Sequence, residues 1–157
     1  MPLYHSGPKQ LAPGDVIAPG NWGSIIAATG PSHHSWHREM TLEAVRSAHF
    51  PSKPSRLVAT FSCANLATAE FYRQVAVSRG WKVTADHLYE IEKVDPLAIE
   101  HRADFNLVEP IPGRGETMEQ IAFLYWTAGR WYTIADAPDI RCEEVVTPSA
   151  LRVVRAL

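Results

Sequence analysis

A chain of 157 residues with 15 Lys and Arg against 17 Asp and Glu carries a formal charge of -2, so no basic track for a phosphate backbone stands out and nucleic acid is not implied as a partner. Apolar residues make up 46% of the chain, with five each of Trp, Tyr and Phe; this excludes disordered and fibrous classes and suffices for one core in a single domain over 1–157. Cys63 and Cys142 are too few for a disulfide framework and form no CxxC pair, residues 1–30 lack a secretory pattern, and no segment has the length of a membrane span, so a soluble protein in a reducing cytosol is the default expectation, with export by a route that reads no N-terminal signal left open.

Residues 2–5 begin a strand, after which Pro8, Pro13, Gly14, Pro19 and Gly20 break the chain into turns. Leu11 to Ile17 reads as a turn feeding a short apolar strand, and 21–37 as a loop that holds Trp22, Trp36 and three histidines and folds back over a groove. Leu42, Val45 and Phe50, with Ala44 and Ala48 between them, predict a helix over 41–49 that stops before Pro51. Residues 57–62 predict a core strand, and Asn65 caps a helix whose apolar side is Leu66, Ala69, Phe71, Val75 and Ala76 and whose end is Gly80. Strands are expected over 81–84 and 87–94, the second covered on both faces, whereas 97–110 fits no single pattern. Thr117-Met118-Glu119-Gln120 has capping-box spacing, and Ile121, Leu124, Tyr125 and Ala128 carry that helix to a stop at Gly129. Residues 143–147 and 151–157 close the chain as an expected strand pair across Pro148-Ser149-Ala150. This irregular order argues against a βαβ repeat and for an α+β fold.

Several groups of residues bear on chemistry. Were the two terminal strands neighbours in one sheet, His5 would come beside Glu143 or Glu144; taken singly, the histidine is an ordinary polar residue at a strand end and each glutamate a surface charge. His34-x-x-His37 would set two imidazoles on one helical side, but Gly30-Pro31-Ser32 favours a loop and no HExxH run is present, so no metal site is assigned. With His33 they are also suited to line a loop around a nucleotide. Pro19-Gly20-Asn21-Trp22-Gly23 permits close backbone approach without forming a P-loop or dinucleotide fingerprint, and Trp22 offers either a flat face to a ring or a core contact. The polar run from His101 to Asn106 reads as the solvated face of an edge strand, and Tyr125-Trp126 and Trp131-Tyr132 as core patterning.

Leu3-Tyr4-His5-Ser6-Gly7, then Val58-Ala59-Thr60-Phe61-Ser62 followed by Ala67, Ala69 and Phe71, then Glu144-Val145-Val146-Thr147-Pro148 resemble, in that order, the three motifs of the ADP-ribosyltransferase superfamily. The branch is the one whose first motif is a histidine, shared by poly(ADP-ribose) polymerases, diphtheria-like toxins and small bacterial transferases. The resemblance implies an α+β fold with a split, mixed or antiparallel central sheet, flanking helices and a cleft, and NAD as a consumed substrate. It implies that His5 binds the ribose next to nicotinamide, that the Ser6 peptide groups hold the carboxamide, and that Glu144 rather than Glu143 is the catalytic carboxylate. The middle motif departs from the family's tyrosine: Thr60 stands there, or Phe61 if the register moves by one, and Phe61 is able to stack near nicotinamide. Trp22 offers a flat surface to adenine or nicotinamide. Cys142 stands two positions before Glu144, where arginine-modifying members commonly carry Gln or Glu, which disfavours arginine as the acceptor.

Cleavage of NAD loosens the nicotinamide–ribose bond as positive charge develops on the ribose, and a carboxylate placed to stabilise that charge supplies much of the catalysis. Nicotinamide leaves readily, so no dedicated acid is needed. The implied function is transfer of ADP-ribose to a macromolecular acceptor, foremost a protein in the manner of toxin-like effectors, with nucleic acid or a small molecule as open alternatives and no membrane partner. Two other readings stand beside it: an NAD glycohydrolase with water as acceptor, and a noncatalytic protein-binding module, which accounts more simply for the absent middle-motif tyrosine.

Overall fold

The computed structural model describes residues 1–108, 115–129 and 141–157. Within them lie β1 (Leu3–Gly7), β2 (Val16–Ile17), α1 (Asn21–Thr29), α2 (Trp36–His49), β3 (Thr60–Cys63), α3 (Leu66–Ser78), β4 (His87–Lys93), β5 (His101–Asp104), α4 (Met118–Thr127), β6 (Glu143–Thr147) and β7 (Leu151–Ala156). All the strands join one antiparallel sheet in the order β2-β7-β4-β1-β3-β6-β5. The class is α+β, an antiparallel sheet flanked by helices, as the irregular order of elements predicts.

Pairing within the sheet is uneven. β1 registers with β4 at every residue from Leu3 to Gly7, and β3 with β6 from Thr60 to Cys63, but β1 and β3 register only at Tyr4 and Cys63. Two well-paired halves, β2-β7-β4-β1 and β3-β6-β5, therefore meet at a single residue pair. The last two strands do not pair with each other as expected: β6 lies between β3 and β5, and β7 between β2 and β4. Their connection is anchored instead by bonds to other segments. Thr60 Oγ1 donates to the Ser149 carbonyl at 2.8 Å, the Asp95 N–H to Ser149 Oγ at 3.0 Å, and the Val94 N–H to the Ala150 carbonyl at 2.9 Å. These bonds carry the chain from one half of the sheet to the other.

Local signals explain where the helices begin and end. Asn65 Oδ1 accepts the Thr68 N–H at 2.8 Å and starts α3, and Gly80, at φ +70°, follows its end. At the start of α4, Thr117 Oγ1 accepts the Gln120 N–H at 3.2 Å while Gln120 Oε1 accepts the Thr117 N–H at 2.9 Å, the reciprocal box that the spacing predicts. Residues 21–37, expected as a loop, instead hold α1, a 3-10 turn at Gly30–Ser32 and the first two residues of α2. A glycine inside α1 hides its pattern, and the packing requires that glycine: a Cβ on Gly23 would sit 1.8 Å from the Leu57 carbonyl oxygen. Strand β3 starts at Thr60 because 56–58 forms a 3-10 turn capped by Ser55, and 81–84 forms no strand. Trp131-Tyr132 lies outside the described residues.

Directly opposed residues of antiparallel strands project to the same face. Tyr4, Cys63, Glu144 and Ala103 thus share one face, against which α2 and α4 bury Leu42, Val45, Leu107, Tyr125 and Trp126. The other face buries Leu3, Tyr89, Ile91, Val145, Leu151 and Val153, an apolar group drawn from both halves. β4 is accordingly covered on both faces, with Leu88 and Tyr89 both buried.

His101, expected on a solvated strand face, is 2% exposed. Its Nε2–H donates to the Tyr125 carbonyl at 2.9 Å, and its ring centroid lies 4.9 Å from that of Trp126. Burial, partly offset by that carbonyl, lowers its pKa to about 4. The folded protein therefore resists a proton that the unfolded chain accepts near pH 6.5. Stability from this residue is full above that pH and is lost as pH falls towards about 4, an effect of order 3 kcal/mol. Urea unfolding between pH 7 and 4.5 should show this loss, and His101→Gln, which keeps a donor for the carbonyl, should flatten the slope; an unchanged slope would assign the acid loss to other groups.

Candidate functional site

The turn before β3 sends Arg56 beneath the sheet rather than into water. The residue is 3% exposed, Glu39 of α2 is 1% exposed and Glu144 of β6 is 6% exposed. Arg56 Nε donates to Glu39 Oε2 at 3.0 Å and Nη2 to Glu39 Oε1 at 3.3 Å, so the fork of the guanidinium is spent on α2. Nη1 donates to Tyr125 Oη at 2.7 Å and also to Glu144 Oε1. Tyr125 Oη in turn donates to the same Glu144 oxygen at 2.5 Å. The guanidinium carbon lies 4.8 Å from the Phe61 ring centroid and 5.2 Å from that of Tyr125, within cation–π range.

Charge pairing decides the protonation states. Burial opposes the charge on Arg56, but Glu144, Tyr125 and Glu39 together outweigh it and hold the guanidinium well above its ordinary pKa. Burial likewise works to raise Glu39, and Arg56 and Arg38 outweigh it, so that carboxyl stays below its usual range. Burial, reinforced by Glu144 against the pull of Arg56, keeps the Tyr125 phenol protonated far past its ordinary range.

On the opposite side of β1, His5 Nδ1 lies 2.9 Å from the Phe61 carbonyl oxygen. A carbonyl only accepts, so Nδ1 carries the proton and the neutral ring presents Nε2 as an acceptor. Burial lowers the histidine's pKa, with partial compensation from that carbonyl, which favours this neutral tautomer. Gly7 keeps Nε2 uncrowded: a Cβ there would come within 3.2 Å of it.

The expected site residues are brought into one neighbourhood but not onto one face. β1 and β6 are in the same sheet with β3 between them. Since Tyr4, Cys63 and Glu144 share a face, His5, next to Tyr4, projects to the other. Ser6 and Phe61 are half-buried on the Glu144 side. Thr60 is buried, and its hydroxyl lies 2.8 Å from the Ser149 carbonyl and 3.2 Å from that of Thr147, so it serves the strand connection. Glu143 faces away from Glu144 and takes Arg102 Nη1 at 3.3 Å. Trp22 packs edge-on to His33, centroids 5.5 Å apart, and its indole N–H is buried beside Glu39 without forming a hydrogen bond of ordinary geometry. His33 stacks on His34 at 4.5 Å. Among the described residues, no group of three or more His, Cys, Asp or Glu side chains is placed to hold a metal ion, and no helix is long and apolar enough to cross a membrane.

Arg56 and Glu39 carry no role in the sequence reading, and Tyr125 appears there only as core patterning. Glu39 does leave a trace there, since Glu39, Leu42 and Val45 recur at helical spacing on the buried side of α2, but a helix read as starting at residue 41 omits it. Arg56 follows Pro54-Ser55 in a turn and has no local pattern to mark it.

Removing Arg56 would leave buried Glu144 with the Tyr125 hydroxyl and no cation, and buried Glu39 with the partly exposed Arg38, and breaking such a buried pair typically costs about 3–5 kcal/mol. Arg56→Met should lower the urea midpoint by that order, whereas Arg152→Met, whose partner Glu92 is reached at 3.1 Å on the open surface, should shift stability by less than about 1 kcal/mol. Equal midpoints for the two variants would show that the buried pairing contributes no more than a surface one.

Comparison with known proteins places this geometry in a family. No curated protein sequence matches the chain significantly. The family model described as protein of unknown function, DUF2441, matches residues 19–137. The matched span includes Trp22, Glu39, Arg56, Phe61 and Tyr125, whereas β1 with His5 and β6 with Glu144 lie outside it. By a match over most of its length, the chain belongs to the DUF2441 family.

Proposed function

We propose that this chain binds NAD at the weakly paired seam between β1 and β3, cleaves the nicotinamide–ribose bond and passes ADP-ribose to a macromolecular acceptor, foremost a protein, on a fold of the ADP-ribosyltransferase kind. One observation carries this reading: the strands holding His5, Thr60 with Phe61, and Glu144 are consecutive in the sheet, β1-β3-β6, and the first two register at one residue pair only. Main-chain groups of β1 on that side lack ladder partners beyond the Tyr4–Cys63 pair. A carboxamide, which donates and accepts at once, fits such groups. His5 Nε2 accepts a ribose hydroxyl.

In the reaction, the bond from ribose C1′ to nicotinamide nitrogen breaks with its electron pair leaving on nicotinamide. The acceptor's nucleophilic atom bonds to C1′ and gives up its proton. The Glu144 carboxylate stabilises the positive charge that develops between these events. The bonds from Arg56 and Tyr125 both end on its Oε1, so Oε2 is the oxygen available to the substrate.

The burial of Glu144 favours a second reading. A carboxylate 6% exposed and held by two partners also suits a noncatalytic protein-binding module in which the network serves folding alone. Calorimetry with NAD and a nicotinamide-release assay separate the two: neither binding nor release by the parent protein would favour the module. Free ADP-ribose without labelled macromolecule would assign glycohydrolysis, and label on lysate protein or nucleic acid would assign transfer.

Glu144→Gln keeps size and hydrogen bonding but removes the charge, so the transition state loses more than the bound substrate. Turnover should fall on the order of 10²–10³-fold with NAD affinity nearly retained, while Glu143→Gln, facing Arg102, should stay within a few-fold. Full activity of Glu144→Gln beside a dead Glu143→Gln protein would move the assignment by one residue; full activity in both would remove this pair from the mechanism.

A further inference from the structure

We propose that Tyr125 is a positioning residue for this chemistry: with Arg56 it fixes Oε1 of Glu144 and so reserves Oε2 for the substrate. The inference rests on the NAD-cleaving reading above and adds a role that the buried network alone does not require. An arginine that merely neutralises a glutamate usually grips both of its oxygens with two parallel N–H bonds. Here that grip is given to Glu39, through Nε and Nη2, and only Nη1 reaches Glu144. The phenol completes the hold from one side. It accepts from Nη1 at 2.7 Å and donates to Oε1 at 2.5 Å, so Arg56, Tyr125 and one carboxylate oxygen close a ring of hydrogen bonds. Among the described residues Oε2 receives none, and the Glu144 side chain keeps 8% of its surface open.

The phenol is itself held rigidly. Its ring packs edge-on to Trp126 with centroids 4.9 Å apart and to His101 at 5.2 Å, on a helix whose first turn is fixed by the Thr117–Gln120 box. The hydroxyl has one proton, and the bond to Oε1 commits it. Burial and Glu144 keep the phenol protonated well past the ordinary tyrosine range. A group fixed in this way costs no reorganisation when charge develops on the ribose, so its removal should show in the chemical step rather than in NAD binding.

The test is steady-state nicotinamide release by the parent protein, Tyr125→Phe and Val153→Ala. Phe keeps the ring and leaves the Arg56–Glu144 contact, so the fold is retained. Val153 is buried on the opposite face of the sheet, and its truncation controls for loss of stability alone. Tyr125→Phe should lower kcat at least tenfold with KM for NAD within twofold of the parent, while Val153→Ala lowers the melting temperature and leaves kcat within twofold. An unchanged kcat in Tyr125→Phe overturns the positioning role and leaves the NAD-cleaving reading standing, as does an equal kcat loss in Val153→Ala. Absence of nicotinamide release by the parent overturns both.

Discussion

A guanidinium buried between two carboxylates is the constraint around which the rest of the structure is arranged. Arg56 leaves water almost completely, and the penalty for taking such an ion into a protein interior is several kcal/mol. It is offset only if the counter-charges arrive with good geometry. Glu39 must therefore come from α2, Glu144 from β6 and the Tyr125 hydroxyl from α4, while Phe61 of β3 lies against the guanidinium. One side chain thus ties two helices to two strands. Apolar packing brings α2 and α4 onto the sheet, but non-directional burial would tolerate a helix rotated or slid by a fraction of a turn. The ion pairs do not.

The same arrangement accounts for the uneven sheet. β3, β6 and β5 are held together by their ladder and, from below, by the network. β1 is held to β4. Between these units stand the Tyr4–Cys63 pair and the bond from His5 Nδ1 to the Phe61 carbonyl. A sheet that is strongly paired on either side of a weakly paired seam leaves main-chain groups at the seam without ladder partners.

What was legible in the sequence was whatever depends on neighbours along the chain. The Asn65 cap, the Thr117–Gln120 box and the Gly80 stop fix helix ends within a turn of sequence, and α3 and α4 formed there. The short strands at both ends of the chain were visible for the same reason. What depends on distant contacts was not. α1 carries a glycine that reads as a loop, although it is the Leu57 carbonyl that demands it. The short turn between the final two strands suggests that they pair, whereas Thr60, Asp95 and Val94 anchor that turn to opposite halves of the sheet. For the site, His5 and Glu144 are nameable because each lies in a short strand near one end of the chain, within a motif that resembles the family's. Their separation onto two faces follows from pleat parity across three strands, and the partners of Glu144 come from 19 and 88 residues away.

Charge stoichiometry bears on whether the network is only structural. Glu39 by itself meets Arg56 with both oxygens, and a one-to-one pair of that kind satisfies a buried guanidinium. Glu144 is then a second carboxylate beside a single buried cation. The balancing charge is Arg38, bonded to Glu39 at 3.0 Å but with 15% of its side chain exposed, where water screens it more than it screens Arg56. The buried core of the network, Glu39, Arg56 and Glu144, thus carries an excess of negative charge. An apolar side chain at 144 would leave Arg56 with Glu39 as its buried carboxylate and remove the strongest attraction that holds the guanidinium charged. Of the four oxygens of Glu39 and Glu144, Glu144 Oε2 is the one that receives no hydrogen bond from the described residues, and it belongs to the carboxylate in excess over the buried guanidinium.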